Sequence, residues 1–131
     1  MGEIGTLAES AASSGADVIA LGQPLPAVVV KIAQRQFRFK SVVGELSGPA
    51  IKPNALYQVW RVRQVTDLPI IGAGGIMSAE DALEMFFVGA DAVSVGMANL
   101  INPGATELIE SDLRTWMTNN GVTDLRNLRN G

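Results

Sequence analysis

Residues 67–81 read Asp-Leu-Pro-Ile-Ile-Gly-Ala-Gly-Gly-Ile-Met-Ser-Ala-Glu-Asp. The run Leu68–Ile71 is apolar, rich in β-branched residues and too short for a helix, which predicts a strand buried on both faces, as in a parallel sheet. The pair Gly74-Gly75 follows this strand, and Ser78 with Asp81 three residues later is typical of a helix N-cap. The stretch therefore predicts a strand, a bare glycine loop and the start of a helix.

A glycine loop before a helix is a candidate anion site. The first backbone N–H groups of a helix lack partners, and the helix dipole favours negative charge at that end. Without side chains at Gly74 and Gly75, a phosphate can approach the backbone closely. A tight turn that binds nothing needs the same glycines, and for a lone Gly-Gly pair this is the commoner explanation.

The spacing of Asp and Gly in the central strand, from Asp67 to Gly72, occurs twice more. Asp17-Val-Ile-Ala-Leu-Gly22 and Asp91-Ala-Val-Ser-Val-Gly96 have the same frame, and each follows Gly-Ala. Helical periodicity is found between and around these three strands, over residues 4–14, 54–65, 78–88 and 103–119. Repeated strand and helix units predict an α/β fold with a parallel sheet, either an open doubly wound sheet or a (β/α)8 barrel.

The glycine positions favour the barrel. A dinucleotide-binding sheet has its glycines after the first strand, and Gly22-Gln-Pro-Leu-Pro26 does not fit that fingerprint. Glycine loops after two successive final strands fit the phosphate site formed by the last two loops of a barrel. We therefore expect a partial TIM (β/α)8 barrel consisting of the last three βα units.

Irregular segments interrupt this pattern. Val28–Ile32 and Phe37–Lys40 predict an inserted hairpin. Gly44–Pro49 is predicted to be a second glycine-rich loop, residues 97–102 a further loop, and Thr123 the cap of a short last helix. On the helices, Leu7 falls on an apolar face, and Trp60 is expected in core or interface packing.

Composition predicts a single domain over residues 1–131, with 47% hydrophobic and 18% charged residues. The net charge of -3 and the scattered Lys and Arg argue against nucleic acid as a partner. Without a membrane-length apolar run or a signal peptide, we expect a cytoplasmic protein. The chain has no Cys and no His, which excludes thiolate nucleophiles, imidazole bases and most zinc sites.

Four motifs together resemble the family of soluble, FMN-dependent dihydroorotate dehydrogenases. They are Gly44-Glu-Leu-Ser-Gly-Pro-Ala-Ile-Lys-Pro53, Pro69-Ile-Ile-Gly-Ala-Gly-Gly-Ile76, Ser78-Ala-Glu-Asp-Ala-Leu83 and Gly89-Ala-Asp-Ala-Val-Ser-Val-Gly-Met-Ala-Asn99. The resemblance implies a TIM barrel flavoprotein, an oxidoreductase that oxidises dihydroorotate to orotate in pyrimidine biosynthesis. It covers almost all of this chain but only the last three strands of the family's barrel.

The resemblance also implies a set of site residues. Cofactor contacts to FMN map onto Gly22, Gly48, Gly74, Gly75, Gly96 and Met97, and substrate contacts map onto Gln23 and Pro24. The family has an Asn-Thr pair at the two substrate positions and a threonine at Met97, so a phosphate-binding hydroxyl is missing here. Glu45 stands where the family commonly has glycine, and its carboxylate would repel a phosphate if it faced one.

The family's proton-abstracting Cys or Ser lies upstream of the matched segment, so no residue here is assigned as catalytic base, and no metal site is predicted. We expect a fragment that keeps the FMN phosphate half-site and does not turn over alone. Its open strand edges predict a homo-oligomer, or pairing with an upstream barrel fragment. The alternative is a non-catalytic, self-associating structural module whose flavin site has decayed.

Overall fold

The computed structural model describes residues 3–129, and its helices and strands alternate along much of the chain. In order they are α1 (Ile4–Ser13), β1 (Ile19–Leu21), β2 (Leu25–Val28), β3 (Val30–Lys31), β4 (Gln36–Phe37), β5 (Val43–Leu46), α2 (Lys52–Arg63), β6 (Ile70–Ala73), α3 (Ala79–Phe87), β7 (Ala92–Ser94), α4 (Ala98–Ile101) and α5 (Ala105–Asn120). Short 3₁₀ turns occupy Ile32–Gln34, Pro49–Ile51 and Leu125–Leu128.

The central sheet has three parallel strands, with β6 between β1 and β7. Leu21 pairs with Gly72, and Gly72 pairs with Val93 on its other side. These are the three strands that share the Asp-to-Gly frame. The predicted α/β class with a parallel sheet is confirmed.

The core lies between one face of this sheet and the helices. Val59, Val62, Ile70, Ala82 and Met85 have no exposed surface, and residues of α1 and α5 join the same cluster. Burying each large apolar side chain contributes about 1.5–3 kcal/mol. This packing, rather than intrinsic helix propensity, holds the helices on the sheet.

The other face of the sheet is largely uncovered. Strand side chains alternate between faces, so the face opposite the core carries Ala20, Ile71, Ala73, Ala92 and Ser94. Ala20, Ala92 and Ser94 are exposed. The side chains on this face are small and mostly apolar.

The repeated Gly-Ala-Asp junction has a conformational cause. Gly15 and Gly89 end α1 and α3 with φ of +90° and +118°, a region that L side chains rarely adopt. At each junction, the amide of the following alanine donates to a carbonyl five residues earlier, at 3.1 and 2.9 Å. This closing pattern terminates the helix and turns the chain into the next strand.

The segment between β1 and α2 differs from the prediction. A hairpin is present, but its strands β3 and β4 have two residues each, with Val30 paired to Phe37. A second antiparallel pair, β2 with β5, encloses it, so part of the predicted Gly44–Pro49 loop is a strand. The predicted strand Val28–Ile32 is broken at Val29 and ends at Lys31, and the predicted strand Phe37–Lys40 keeps only Phe37. Left-handed φ angles at Arg35 (49°) and Val42 (62°) turn the chain in the connections between the observed strands.

Three local predictions are wrong. Leu7 is 59% exposed, because the buried residues of α1 are its smaller neighbours Gly5 and Ala8. Trp60 is 47% exposed and so lies outside the core, while its place in an interface stays a prediction. The predicted loop after Gly96 contains α4. The last short helix is capped by Asp124, whose Oδ1 accepts from the Arg126 amide at 2.9 Å, and not by Thr123.

Among the residues described, no helix has the length and apolarity to cross a bilayer.

Asp91, at the start of β7, ties four segments together. Its Oδ2 accepts hydrogen bonds from the Ile70 amide at 2.9 Å and from Arg63 Nη2 at 2.5 Å. Its Oδ1 accepts from Arg129 Nη2 at 2.6 Å. Burial alone would raise the pKa of Asp91, but the Ile70 amide and the two arginines outweigh it and lower the pKa. The carboxylate therefore stabilises the fold in its ionised form.

Replacing Asp91 by Asn should lower the free energy of unfolding by about 2–4 kcal/mol, because the Arg63 side chain, 9% exposed, would lose its counter-ion. Urea denaturation at neutral pH measures the loss, with exposed Asp112→Asn as the control. Because the folded-state pKa is lowered, the contribution is present above the ordinary value of 3.8 and disappears as the pH falls further. Equal stability of the two variants would contradict this role.

Candidate functional site

A cleft lies at the carboxyl ends of the three parallel strands. Gly22 follows β1, Gly74 follows β6, and Gly96 stands two residues after β7, so all three occupy the same edge of the sheet. The space between them measures about 170 Å³. In open α/β sheets and in (β/α)8 barrels, ligands bind at this end of the strands.

The structure brings seven of the eight predicted site residues together in the lining of this cleft. They are Gly22, Pro24, Gly48, Gly74, Gly75, Gly96 and Met97. Gln23 is exposed and lies outside the lining. Glu45 is also exposed, on β5, and does not line the cleft, so its carboxylate does not face the site.

Sequence reasoning missed two hydroxyl groups in the lining, those of Ser47 and Ser94. Ser47 directly precedes Gly48 within a motif that was recognised for its glycines. Ser94 lies on the uncovered face of the sheet, two residues before Gly96. Strand alternation could have predicted the position of Ser94, because a polar residue in an otherwise apolar strand lies on the face opposite the core.

Two cleft glycines are required by the backbone itself. A Cβ at Gly22, where φ is +109°, would lie 1.6 Å from the Ala73 carbonyl oxygen. A Cβ at Gly75, where φ is +76°, would lie 2.7 Å from Lys52 Cβ and 2.9 Å from Lys52 N. For these two positions a tight turn is a sufficient explanation.

Gly96 is different. A Cβ there would meet no atom within 4 Å, and its φ is outside the left-handed region. Neither packing nor backbone conformation requires glycine at this position. The missing side chain instead leaves open space beside the cleft, which is what a ligand close to the backbone needs.

Unpaired backbone donors line the cleft. Within residues 3–129, the amides of Gly74, Gly75, Ile76, Gly96 and Met97 donate to no other residue. They come from two loops, one after β6 and one after β7. Such N–H groups are the donors that bind phosphate at loops of this kind.

The amides just beyond the first loop are already occupied. Asp81 Oδ2 accepts from the amides of Met77 at 2.8 Å and Ser78 at 3.0 Å, and Ser78 Oγ accepts from the Asp81 amide. This is the predicted capping box, which is confirmed. It fixes the start of α3 and leaves, in this first loop, the amides of Gly74, Gly75 and Ile76 unpaired.

The charges nearest to these loops are paired with each other. Lys52 Nζ, at the start of α2, lies 2.6 Å from Asp81 Oδ1 and 2.9 Å from Glu84 Oε2. Hydrogen bonds to these two carboxylates raise the pKa of Lys52. Burial would raise the pKa of Asp81, but the hydrogen bonds from Lys52, Met77 and Ser78 lower it. Lys52 and Asp81 are therefore both charged at neutral pH.

The cleft offers backbone dipoles and the hydroxyls of Ser47 and Ser94 for binding an anion. Among the described residues that line it, none carries an ionisable side chain. Residues 3–129 also contain no group of three or more Asp, Glu, His or Cys placed to hold a metal ion. An anion held by backbone N–H groups is the chemistry that this arrangement supports.

Comparison with known proteins gives consistent results. The family model described as "Dihydroorotate dehydrogenase" matches residues 8–117. Dihydroorotate dehydrogenase B (NAD(+)), catalytic subunit, of Desulforudis audaxviator is 46% identical over 126 residues, which are 96% of this chain and 41% of that protein. The protein of the same description from Geotalea daltonii is 42% identical over 122 residues, 93% of this chain and 40% of that protein.

The fold is similar to a crystal structure of DHODH in complex with ferulenol from Eimeria tenella. The TM-score is 0.76 at 21% sequence identity, over 95% of this chain and 33% of that one. At this identity the likeness concerns the fold alone. The chain spans about two fifths of the length of the curated relatives.

Replacing Gly75 by Ala should lower the free energy of unfolding by about 2–4 kcal/mol, because the new Cβ would overlap Lys52 in a left-handed backbone. Replacing Gly96 by Ala should change it by no more than about 0.5 kcal/mol, because the position is open. Guanidinium denaturation of both variants measures the difference. A cost at Gly96 as large as at Gly75 would contradict the distinction between the two glycines.

Proposed function

The chain belongs to the dihydroorotate dehydrogenase family, and on this basis we propose that it is a partial (β/α)8 barrel whose cleft binds the phosphate of FMN. The sheet would be three neighbouring strands of the barrel, with the uncovered face turned to the barrel interior. The two loops with free amides would be the phosphate-binding loops after its last two strands. The single domain over residues 1–131 is part of the same proposal.

The observation that carries this proposal is the open space and free amides around Gly96. A phosphate accepts several hydrogen bonds from backbone N–H groups, and Gly74, Gly75, Gly96 and Met97 present such groups from two loops. The cleft volume of about 170 Å³ is below the roughly 300 Å³ at which pockets for whole small molecules begin. It suits the phosphate end of a flavin mononucleotide better than the entire cofactor.

FMN, when bound, supplies a hydride acceptor, and the protein supplies binding and orientation. Here the backbone amides would hold the phosphate, while Gly22 would allow the cofactor to approach the end of β1. The hydroxyls of Ser47 and Ser94 are available as further donors, whereas the side chain of Met97 has no hydroxyl. Gln23 and Pro24 would be the substrate contacts, as the family resemblance implies.

We infer that this chain alone does not oxidise dihydroorotate, because the reaction needs a base as well as the flavin and the resemblance places the family's Cys or Ser base upstream of the matched segment. The base would come from barrel strands that this segment does not include. We therefore propose a cofactor half-site, complete only with the rest of a barrel.

Titration of the purified chain with FMN, followed by flavin fluorescence, tests the phosphate site directly. We expect saturable quenching with FMN and none with riboflavin, which lacks the phosphate. The Met97→Thr variant should bind FMN about tenfold more tightly, because it adds a hydroxyl donor to a charged acceptor. Equal behaviour of FMN and riboflavin would refute the phosphate site.

A second candidate function rests on the uncovered sheet face, with Ala20, Ala92 and Ser94 exposed, and on the outer edges of β1 and β7, which pair with no other strand among residues 3–129. Small apolar side chains and unpaired strand edges favour association with another chain. On this second proposal the chain is a self-associating structural module, and its partner is a second copy. An upstream barrel fragment would cover the same surfaces.

Sedimentation equilibrium at micromolar concentration should show a homo-oligomer. Ala92→Lys, on the uncovered face, should shift it toward the monomer, whereas Thr115→Lys, exposed on α5, should not. A wild-type chain that stays monomeric and folded would exclude self-association. An oligomer with no thermal stabilisation by FMN would favour the structural module over the flavin half-site.

A further inference from the structure

A three-residue ion-pair cluster, Lys52 with Asp81 and Glu84, joins the two halves of the cleft. Lys52 begins α2, directly after the 3₁₀ turn that follows Gly48. Asp81 and Glu84 lie in α3, which follows Gly74 and Gly75. The contacts of 2.6 and 2.9 Å from Lys52 Nζ therefore connect elements that are distant in sequence and that carry different glycine loops.

The Asp81 carboxylate extends this connection to the loop backbone. Its Oδ1 binds Lys52 Nζ at 2.6 Å, and its Oδ2 binds the amides of Met77 and Ser78 at 2.8 and 3.0 Å. A single planar group thus holds the cation of α2 on one side and the end of the glycine loop on the other. Movement of α2 away from α3 would therefore disturb both the ion pair with Lys52 and the hydrogen bonds from the Met77 and Ser78 amides.

The backbones also touch at this point. A Cβ built on Gly75 would lie 3.0 Å from the Gly48 carbonyl oxygen and 2.7 Å from Lys52 Cβ. The Gly48 carbonyl in turn accepts from the Ile51 amide at 3.1 Å. The two loops are therefore in contact where the ion pair closes, and their separation is not set by sequence-local turns alone.

We propose that Lys52, Asp81 and Glu84 are positioning residues, which hold the Gly48 loop and the Gly74-Gly75 loop at the separation that an anion in the cleft requires. The proposal rests on the proposed phosphate site for its binding consequence, but not for its structural one. None of the three side chains lines the cleft. The three side chains therefore fix the positions of the loops, and the loop amides make the hydrogen bonds to the anion.

The exposure of the three side chains indicates which of the two ion pairs is the stronger. The side chains of Lys52 and Asp81 are 23% and 16% exposed, while Glu84 is 41% exposed. A partly buried pair is less screened by solvent and salt than a surface pair. Asp81 is therefore the principal partner, and Glu84 adds a second, weaker one.

Amide hydrogen exchange measured by NMR on the ligand-free chain tests the structural part. Lys52→Met keeps the aliphatic stem against Gly75 and removes the charge, so exchange at Met77 and Ser78 should become about fivefold faster, as expected for a loss of roughly 1 kcal/mol in local stability. Lys52→Arg should restore near wild-type rates. Arg114→Met, which removes an exposed ion pair on α5, is the matched control and should change neither amide.

Wild-type exchange rates at Met77 and Ser78 in Lys52→Met would overturn the positioning role. Faster exchange confined to the first turn of α2 would also overturn it, because a merely local role predicts that result. Both outcomes are independent of any ligand.

FMN titration of the same variants tests the binding part. Lys52→Met should weaken FMN binding about fivefold by loss of preorganisation, and Lys52→Arg should recover it, with riboflavin as the control ligand. A wild-type chain that binds no FMN would refute the proposed phosphate site, while the exchange rates still decide the structural role. FMN binding to Lys52→Met that equals wild type would refute the link between the ion pairs and the cleft.

Discussion

The structure depends on how closely α2 and α3 approach the central strand β6. At the middle of that strand, a Cβ on Gly72 would lie 3.2 Å from Met85 Sδ and 3.3 Å from Val59 Cγ2, so the strand has no room for a side chain there. Val59 and Met85 are completely buried by this approach. The same closeness places the first turns of the two helices beside each other, above the end of β6. The core packing and the geometry of the cleft are therefore consequences of one constraint.

Local chemistry explains which parts of this architecture could be predicted from the sequence. The capping box at Ser78, the helix ends at Gly15 and Gly89 and the three strands with a common frame are signals carried by a few adjacent residues. Such signals report backbone conformation directly. Seven of the eight predicted site residues meet in one cleft. Six of them follow the parallel strands β1, β6 and β7, whose carboxyl ends lie at one edge of the sheet, and Gly48 reaches the cleft from the loop after β5.

The features that sequence reasoning missed depend on contacts between distant segments. Trp60 has helical spacing with buried neighbours, yet it is exposed and lies beside Tyr57, with ring centroids 6.3 Å apart. Part of the predicted glycine-rich loop Gly44–Pro49 belongs to β5, which forms by pairing with β2. The pairing of Lys52 with Asp81 joins residues 29 positions apart, and no local pattern predicts it. In each case the deciding interaction is a tertiary one.

The sheet register has a consequence for the order in which the chain folds. β6 and β7 pair residues that are 21 positions apart, as in Ile71 with Ala92, whereas β1 and β6 pair residues 51 positions apart, as in Ile19 with Ile70. Closing the longer loop costs more chain entropy before any contact offsets it. We therefore expect the β6–α3–β7 unit to form before β1 joins it. Because Gly22 follows β1, the cleft is complete only once β1 has paired with β6.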